Sequence, residues 1–133
     1  MSEWEARAFS RLQLEPWIRA HASEIRIVGL LWEPMHQRVL VTAWIPRASG
    51  IAGLRQEGPR IAYGVGQALA RIGFKRFEVL VKAPISESRG AEVVIAAEAE
   101  GVQTGMWNDD PSTADPQVLL TRFSNIWWHP ELH

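Results

Sequence analysis

Glu33 and His36 are the two residues of this chain best placed to exchange a proton, three positions apart in one short turn. A carboxylate beside an imidazole is the minimum for general acid–base work, although no third group stands near them in sequence to orient the pair. Other side chains with reactive chemistry are sparser. His129-Pro130-Glu131-Leu132-His133 sets two imidazoles around a carboxylate, but metalloprotease spacing puts Glu directly after the first His on a stable helix, and here proline follows it. Asn108-Asp109-Asp110 with Asp115 offers oxygen ligands for a divalent cation without the Asp-x-Asp-x-Asp-Gly spacing, and Asp115 suits a helix cap. Ser86-Glu87-Ser88-Arg89-Gly90 fits a phosphate nest or, equally, a hairpin turn. Gly64-Val65-Gly66 does not follow a strand, so it reads as a close-packing helix face rather than a dinucleotide loop. Gly-x-Ser-x-Gly is absent and there is no cysteine, which removes a hydrolase elbow, a thiolate nucleophile and a cysteine metal site. No catalytic residue, metal or cofactor is assigned on these grounds.

Charge is sorted along the chain. From Arg38 to Arg89 nine basic residues face three acidic ones, a net of +6, whereas Glu92 to Asp115 holds six acidic residues and no basic one, a net of −6. The whole chain carries −1. Such poles can satisfy each other internally, pair with a second copy, or meet a charged partner. Arg55, Arg60, Arg71, Lys75 and Arg76 would form the phosphate-binding patch of a nucleic-acid domain. The equal acidic segment argues against that use.

These residues need positioning elements. Trp4, Ala8, Phe9 and Leu12 recur at helical spacing and predict a helix over 2–14, with a second short one over 16–22 opened by Pro16. Residues 24–32 and 38–45 predict a hairpin turning through 33–37. A loop is expected over 47–58 and a helix over 59–72, with Gly58-Pro59 as its start signal and Gly73 as its stop. Residues 77–83 and 91–99 predict a second hairpin, residues 101–115 a loop, and Asp115-Pro116 the start of a last helix running to about Trp127. The expected fold is therefore a single α+β domain over 1–133, helix–ββ–helix–ββ–helix, with a largely antiparallel sheet of about four strands and helices packed on it.

In the expected register of the first hairpin, Ile25, Ile27, Gly29 and Leu31 meet Ile45, Ala43, Val41 and Val39 on the covered face. Arg26 meets Trp44, Leu30 meets Leu40, and Trp32 meets Arg38 on the other. In the second hairpin Val79 and Val81 meet Ile95 and Val93 on the covered face, while Lys82 meets Glu92 and Arg76 meets Glu98 across the other. The other, mixed face would then carry two Trp–Arg pairs, each worth about 0.5–1 kcal/mol when exposed. Trp32 and Trp44 either lie under the N- or C-terminal helix as ordinary core or, because Trp and Arg are enriched at interfaces, form a partner surface with Arg26, Arg38, Leu30 and Leu40 as the candidate protein-binding residues. Trp107 joins them as the expected tether of the 101–114 loop, either tucked into its own domain or inserted into a neighbour.

The element order resembles two small protein-binding folds, roadblock-type domains and type III secretion chaperones, which are typically homodimeric. The resemblance lies in topology alone and implies a binding module that pairs with a second copy. The leading expectation is a self-associating, non-catalytic binding or assembly module. A nucleic-acid-binding domain using the basic 38–89 segment and a small enzyme using Glu33 and His36 are the alternatives. The longest apolar runs fall far short of the roughly 20 residues that span a bilayer, and Met1-Ser2-Glu3-Trp4-Glu5 lacks the basic and apolar regions of a signal peptide. The expected setting is cytoplasmic, away from membranes.

Overall fold

The computed structural model describes residues 26–47 and 49–133, so Ile25 and the helices expected over 2–14 and 16–22 lie outside the described residues. The described chain is α+β. Strands β1 (Arg26–Glu33) and β2 (Arg38–Trp44) are followed by helix α1 (Gly50–Ile72) and strands β3 (Phe77–Pro84) and β4 (Ala91–Ala99). A short helix α2 (Pro116–Leu120) and strand β5 (Asn125–Trp128) complete it. The sheet has five strands in the order β1-β2-β3-β4-β5, one more than the sequence predicts. Pairing is antiparallel except between β2 and β3, which run parallel. Parallel neighbours need a long crossover, and the 23-residue α1 supplies it.

Helix α1 begins nine residues before Pro59, where the sequence predicts a loop. Pro59 sits inside the helix and cannot donate to the preceding turn. Burial offsets this defect: nearly every residue from Gly58 to Ala70 is buried, as expected of a helix enclosed on several sides. Its end matches expectation. Gly73 adopts φ 109° and its N–H reaches the carbonyls of Leu69 and Ala70, while Phe74 N–H also bonds Leu69 O.

The β1–β2 register starts as expected, with Arg26 opposite Trp44 and Ile27 opposite Ala43. A bulge at Val28 then shifts the pairing by one, so Leu30 meets Val41, Leu31 meets Leu40, Trp32 meets Val39 and Glu33 meets Arg38. One extra residue reverses which face each later side chain occupies. Leu30 and Trp32 thus turn inward against the core, Trp32 lying 6.5 Å from the Phe74 ring, while Leu31 emerges 43% exposed. This corrects the expected Trp32–Arg38 and Leu30–Leu40 pairs and the inward placement of Leu31.

The second hairpin is offset by two residues from expectation, which keeps every side chain of β3 on its expected face: Val79 meets Ala97 and Val81 meets Ile95. A bulge at Val94 leaves Val94 and Ile95 both buried and puts Val93, expected in the core, opposite Lys82 on the other face. The helix predicted to reach Trp127 stops at Leu120. The chain then turns and pairs as β5, with Ile126 and Trp128 against the core and Ala96 opposite Trp127. Asp115 caps α2 as expected, accepting from Gln117 N at 2.8 Å.

The 101–115 loop packs on α1. Trp107 is 3% exposed, stacks on Tyr63 at 5.1 Å, and meets Phe77 and Phe123 edge-on. Gly66 makes room for it, because a Cβ there would lie 2.7 Å from the Trp107 ring. Gln67, the one buried polar side chain among the described residues, donates to the carbonyls of Trp107 and Asp109 at 2.8 and 3.0 Å. Thus Trp107 tethers the loop within its own domain instead of offering a contact surface.

Candidate functional site

Alternation along the strands gives the sheet two chemically distinct faces. Val39, Val41, Ala43, Phe77, Val79, Val81 and Ile95 are fully buried on the face that carries α1. The described helices gather on that side, since α2 and the two short turns at 104–106 and 130–132 all contact α1. The opposite face presents Leu31 on β1, Arg38, Leu40, Thr42 and Trp44 on β2, Glu78, Leu80 and Lys82 on β3, Ala96 and Glu98 on β4, and Trp127 on β5. No described element lies over it. Leu31 at one edge is 43% exposed and Trp127 at the other 49%, whereas Leu40, Thr42, Trp44, Leu80 and Ala96 between them are half-buried.

One end of this face carries a charge network. Arg38 donates from Nε to Glu33 at 2.6 Å and from its terminal nitrogen to Glu78 at 3.0 Å, with Glu98 at 3.5 Å. Arg76 reaches Glu98 at 3.7 Å and Glu100 at 2.9 Å. Glu78 and Glu98 are direct cross-strand partners, a like-charge pair that is unfavourable without a cation between them. Burial pushes the Glu78 carboxyl above its usual value; Arg38 opposes that, and Glu98 and Glu33 add to it. Hydrogen bonding to Glu33 in turn raises the Arg38 pKa.

Several sequence candidates are thereby accounted for. Arg38, Leu40 and Trp44 share the open face, and Arg26 is at the register position opposite Trp44. Leu30, Trp32 and Trp107 belong to the core side. Arg76 and Glu98, expected directly opposite each other, make an ion pair at 3.7 Å, but Glu98 stands opposite Glu78, and Lys82 faces Val93 and not Glu92. The charge poles meet within one chain: Arg38, Arg76 and Arg89 contact Glu98, Glu100 and Glu92. Arg60, another basic residue, donates to the carbonyls of Pro111 and Ala114.

The would-be nucleic-acid patch is not brought together as one surface. Arg55 holds the carbonyls of Leu132 and His133, Arg60 braces the 111–114 loop, and Arg76 joins the carboxylate network; Arg71 and Lys75 are exposed at the end of α1 and beyond it. The Glu33 carboxylate is taken by Arg38, and the described contacts do not join it to the exposed His36 side chain. Asp109 accepts from Tyr63 at 3.2 Å and Arg122 at 3.1 Å. His129 lies 3.4 Å from Glu92, with its Nδ1 accepting from Glu131 N–H. No group of three or more His, Cys, Asp or Glu among the described residues is arranged to hold a metal ion. A hollow of ≈ 240 Å³ beside Arg55, Gln117, Trp128, Leu132 and His133 is smaller than the roughly 300–1,000 Å³ of ordinary ligand pockets, and Arg55 is already engaged there. Among the described residues no helix is long and apolar enough to cross a membrane.

Sequence reasoning missed Trp127 as a surface residue and Glu78 as a partner of Arg38. The signal for Trp127 was present: Ile126-Trp127-Trp128 fits a strand as well as a helix end. Comparison with protein-family models, with curated proteins and with solved structures gives no match.

Proposed function

We propose that this protein is a non-catalytic binding or assembly module whose working surface is the open face of its sheet. The observation that carries this reading is a sheet face with exposed Leu31 and Trp127 at its two edges and a charge cluster at one end, over which no described element lies. A large apolar side chain left in water gains free energy when covered, at roughly 25 cal/mol per Å² of apolar area. Fixed charges at one end add direction to that contact, favouring one orientation of a partner over others. The titratable groups support the same reading, since Glu33, Glu78, Asp109 and His129 are engaged in structural contacts rather than converging on a cavity.

A photo-activatable residue placed in turn at Leu31, Trp127, Met35 and Arg71 in the full chain tests this reading in cells. Positions 31 and 127 should give protein crosslinks at least several-fold above positions 35 and 71, which lie in the β-turn and at the end of α1. Equal labelling at all four sites would contradict the proposal.

A further inference from the structure

The open face of β3, the middle strand, reads Glu78, Leu80, Lys82. Negative, apolar and positive positions follow one another at equal spacing, and the sequence of charges is its own complement when reversed. We propose that this face pairs with the same face of a second copy about a two-fold axis that crosses the strands at Leu80. This rests on the reading of the open face as the binding surface and names its partner.

Under that axis Leu80 meets Leu80 of the other copy, and each Glu78 meets the other copy's Lys82. A two-fold axis running along the strands would instead bring the two carboxylate-rich ends together. Charge selects between them. The Glu78 end holds four carboxylates, Glu33, Glu78, Glu98 and Glu100, around the two guanidinium groups of Arg38 and Arg76. Lys82 at the other end lies opposite Val93 and has no ion-pair partner among the described residues. A closed pairing of this kind uses one patch twice, which is the ordinary geometry of a homodimer.

Size sets the expected strength. Five strands about 4.8 Å apart and about seven residues long at 3.3 Å each bound the face at roughly 450 Å² per copy, an upper limit because Leu40, Thr42, Trp44 and Leu80 are already half-buried. Two copies would cover about 900 Å², below the roughly 1,200–2,000 Å² of stable specific interfaces. The pairing is therefore weak, concentration-dependent and sensitive to salt.

Charge exchange between copies tests it with the full chain in sedimentation equilibrium. Wild type should approach twice the monomer mass as concentration rises at low salt. Lys82→Glu alone and Glu78→Lys alone each place like charges across both contacts, so each should associate at least tenfold more weakly. Their 1:1 mixture restores opposite charges at both contacts and should recover the dimer. If Glu78→Lys fails to fold, Lys82→Glu decides alone, with its tenfold loss at low salt shrinking at high salt. A wild-type chain that stays monomeric at every concentration overturns the inference, as does a mixture that associates no better than the separate variants. Face-selective crosslinks to other proteins from a monomeric chain would leave the binding reading standing and reject the second copy as partner; no face-selective crosslinks would reject the reading itself.

Discussion

Trp107→Ala should cost about 3–5 kcal/mol of folding stability, the range for removing a fully packed large aromatic. The side chain is 3% exposed and touches the rings of Tyr63, Phe77 and Phe123, which come from α1, β3 and the segment after α2. Its loss opens a cavity where three parts of the chain meet, and it slackens the loop whose carbonyls Gln67 holds. Against a typical domain stability of about 5–15 kcal/mol, that is a large fraction. Urea unfolding followed by circular dichroism measures the effect. Gly66→Ala probes the same contact from the other side. The new methyl would sit 2.7 Å from the Trp107 ring and 3.0 Å from Phe77, so overpacking should cost about 1–3 kcal/mol. A midpoint unchanged by either substitution would contradict the packing described.

Arg38→Met should also destabilise the protein, with a distinctive dependence on pH. Glu33, Glu78 and Glu98 share this cation, and their side chains are only 25%, 20% and 23% exposed. Removing it at neutral pH should cost about 1–3 kcal/mol, the order of a charged hydrogen bond lost at a partly buried site. Glu78 is raised from 4.5 in the folded protein, first by burial, with Arg38 opposing that rise. A carboxyl raised on folding adds stability that is full below its unfolded value and disappears as pH climbs through the folded value. Without Arg38 the folded value rises further, so the variant's deficit should be largest at pH 7 and should narrow as pH falls toward 4.5. Urea midpoints of both proteins at pH 7 and pH 5 decide the point. A deficit of equal size at both pH values would mean that Arg38 acts by packing alone.

The particular errors of sequence reading have physical causes. Alternation in β2 and β3 is strict, so their two faces were legible from Val39, Val41, Val79 and Val81. In β1 the run Ile27 to Trp32 is apolar or glycine throughout, and nothing in such a run fixes which residues face inward. Gly29, in the interior of the strand and next to the bulge, was the available warning. The early start of α1 was hidden because Gly53, Gly58 and Pro59 disfavour helix locally; within residues 50–57 only Leu54 is buried, and burial from Gly58 onward carries the helix through Pro59. β5 depends on pairing with β4, about thirty residues away in sequence, and a window read locally cannot register such a partner. The parallel join of β2 to β3 is equally non-local. For the same reason the open face was only half legible: Leu40, Trp44 and Arg38 were placed by alternation within β2, whereas Leu31 and Trp127 reach it through a bulge and a fifth strand.

Oxidative footprinting of the purified full chain, followed residue by residue as concentration rises, tests the role of the open face most directly. Leu31 and Trp127 begin 43% and 49% exposed, and Met35 and Met106, away from that face, begin 92% and 55% exposed. A surface that pairs with its own copy should lose labelling at Leu31 and Trp127 with concentration, while Met35 and Met106 keep theirs. Labelling of Leu31 and Trp127 that stays constant at every concentration, or protection that falls on Met35 and Met106 instead, would contradict the account.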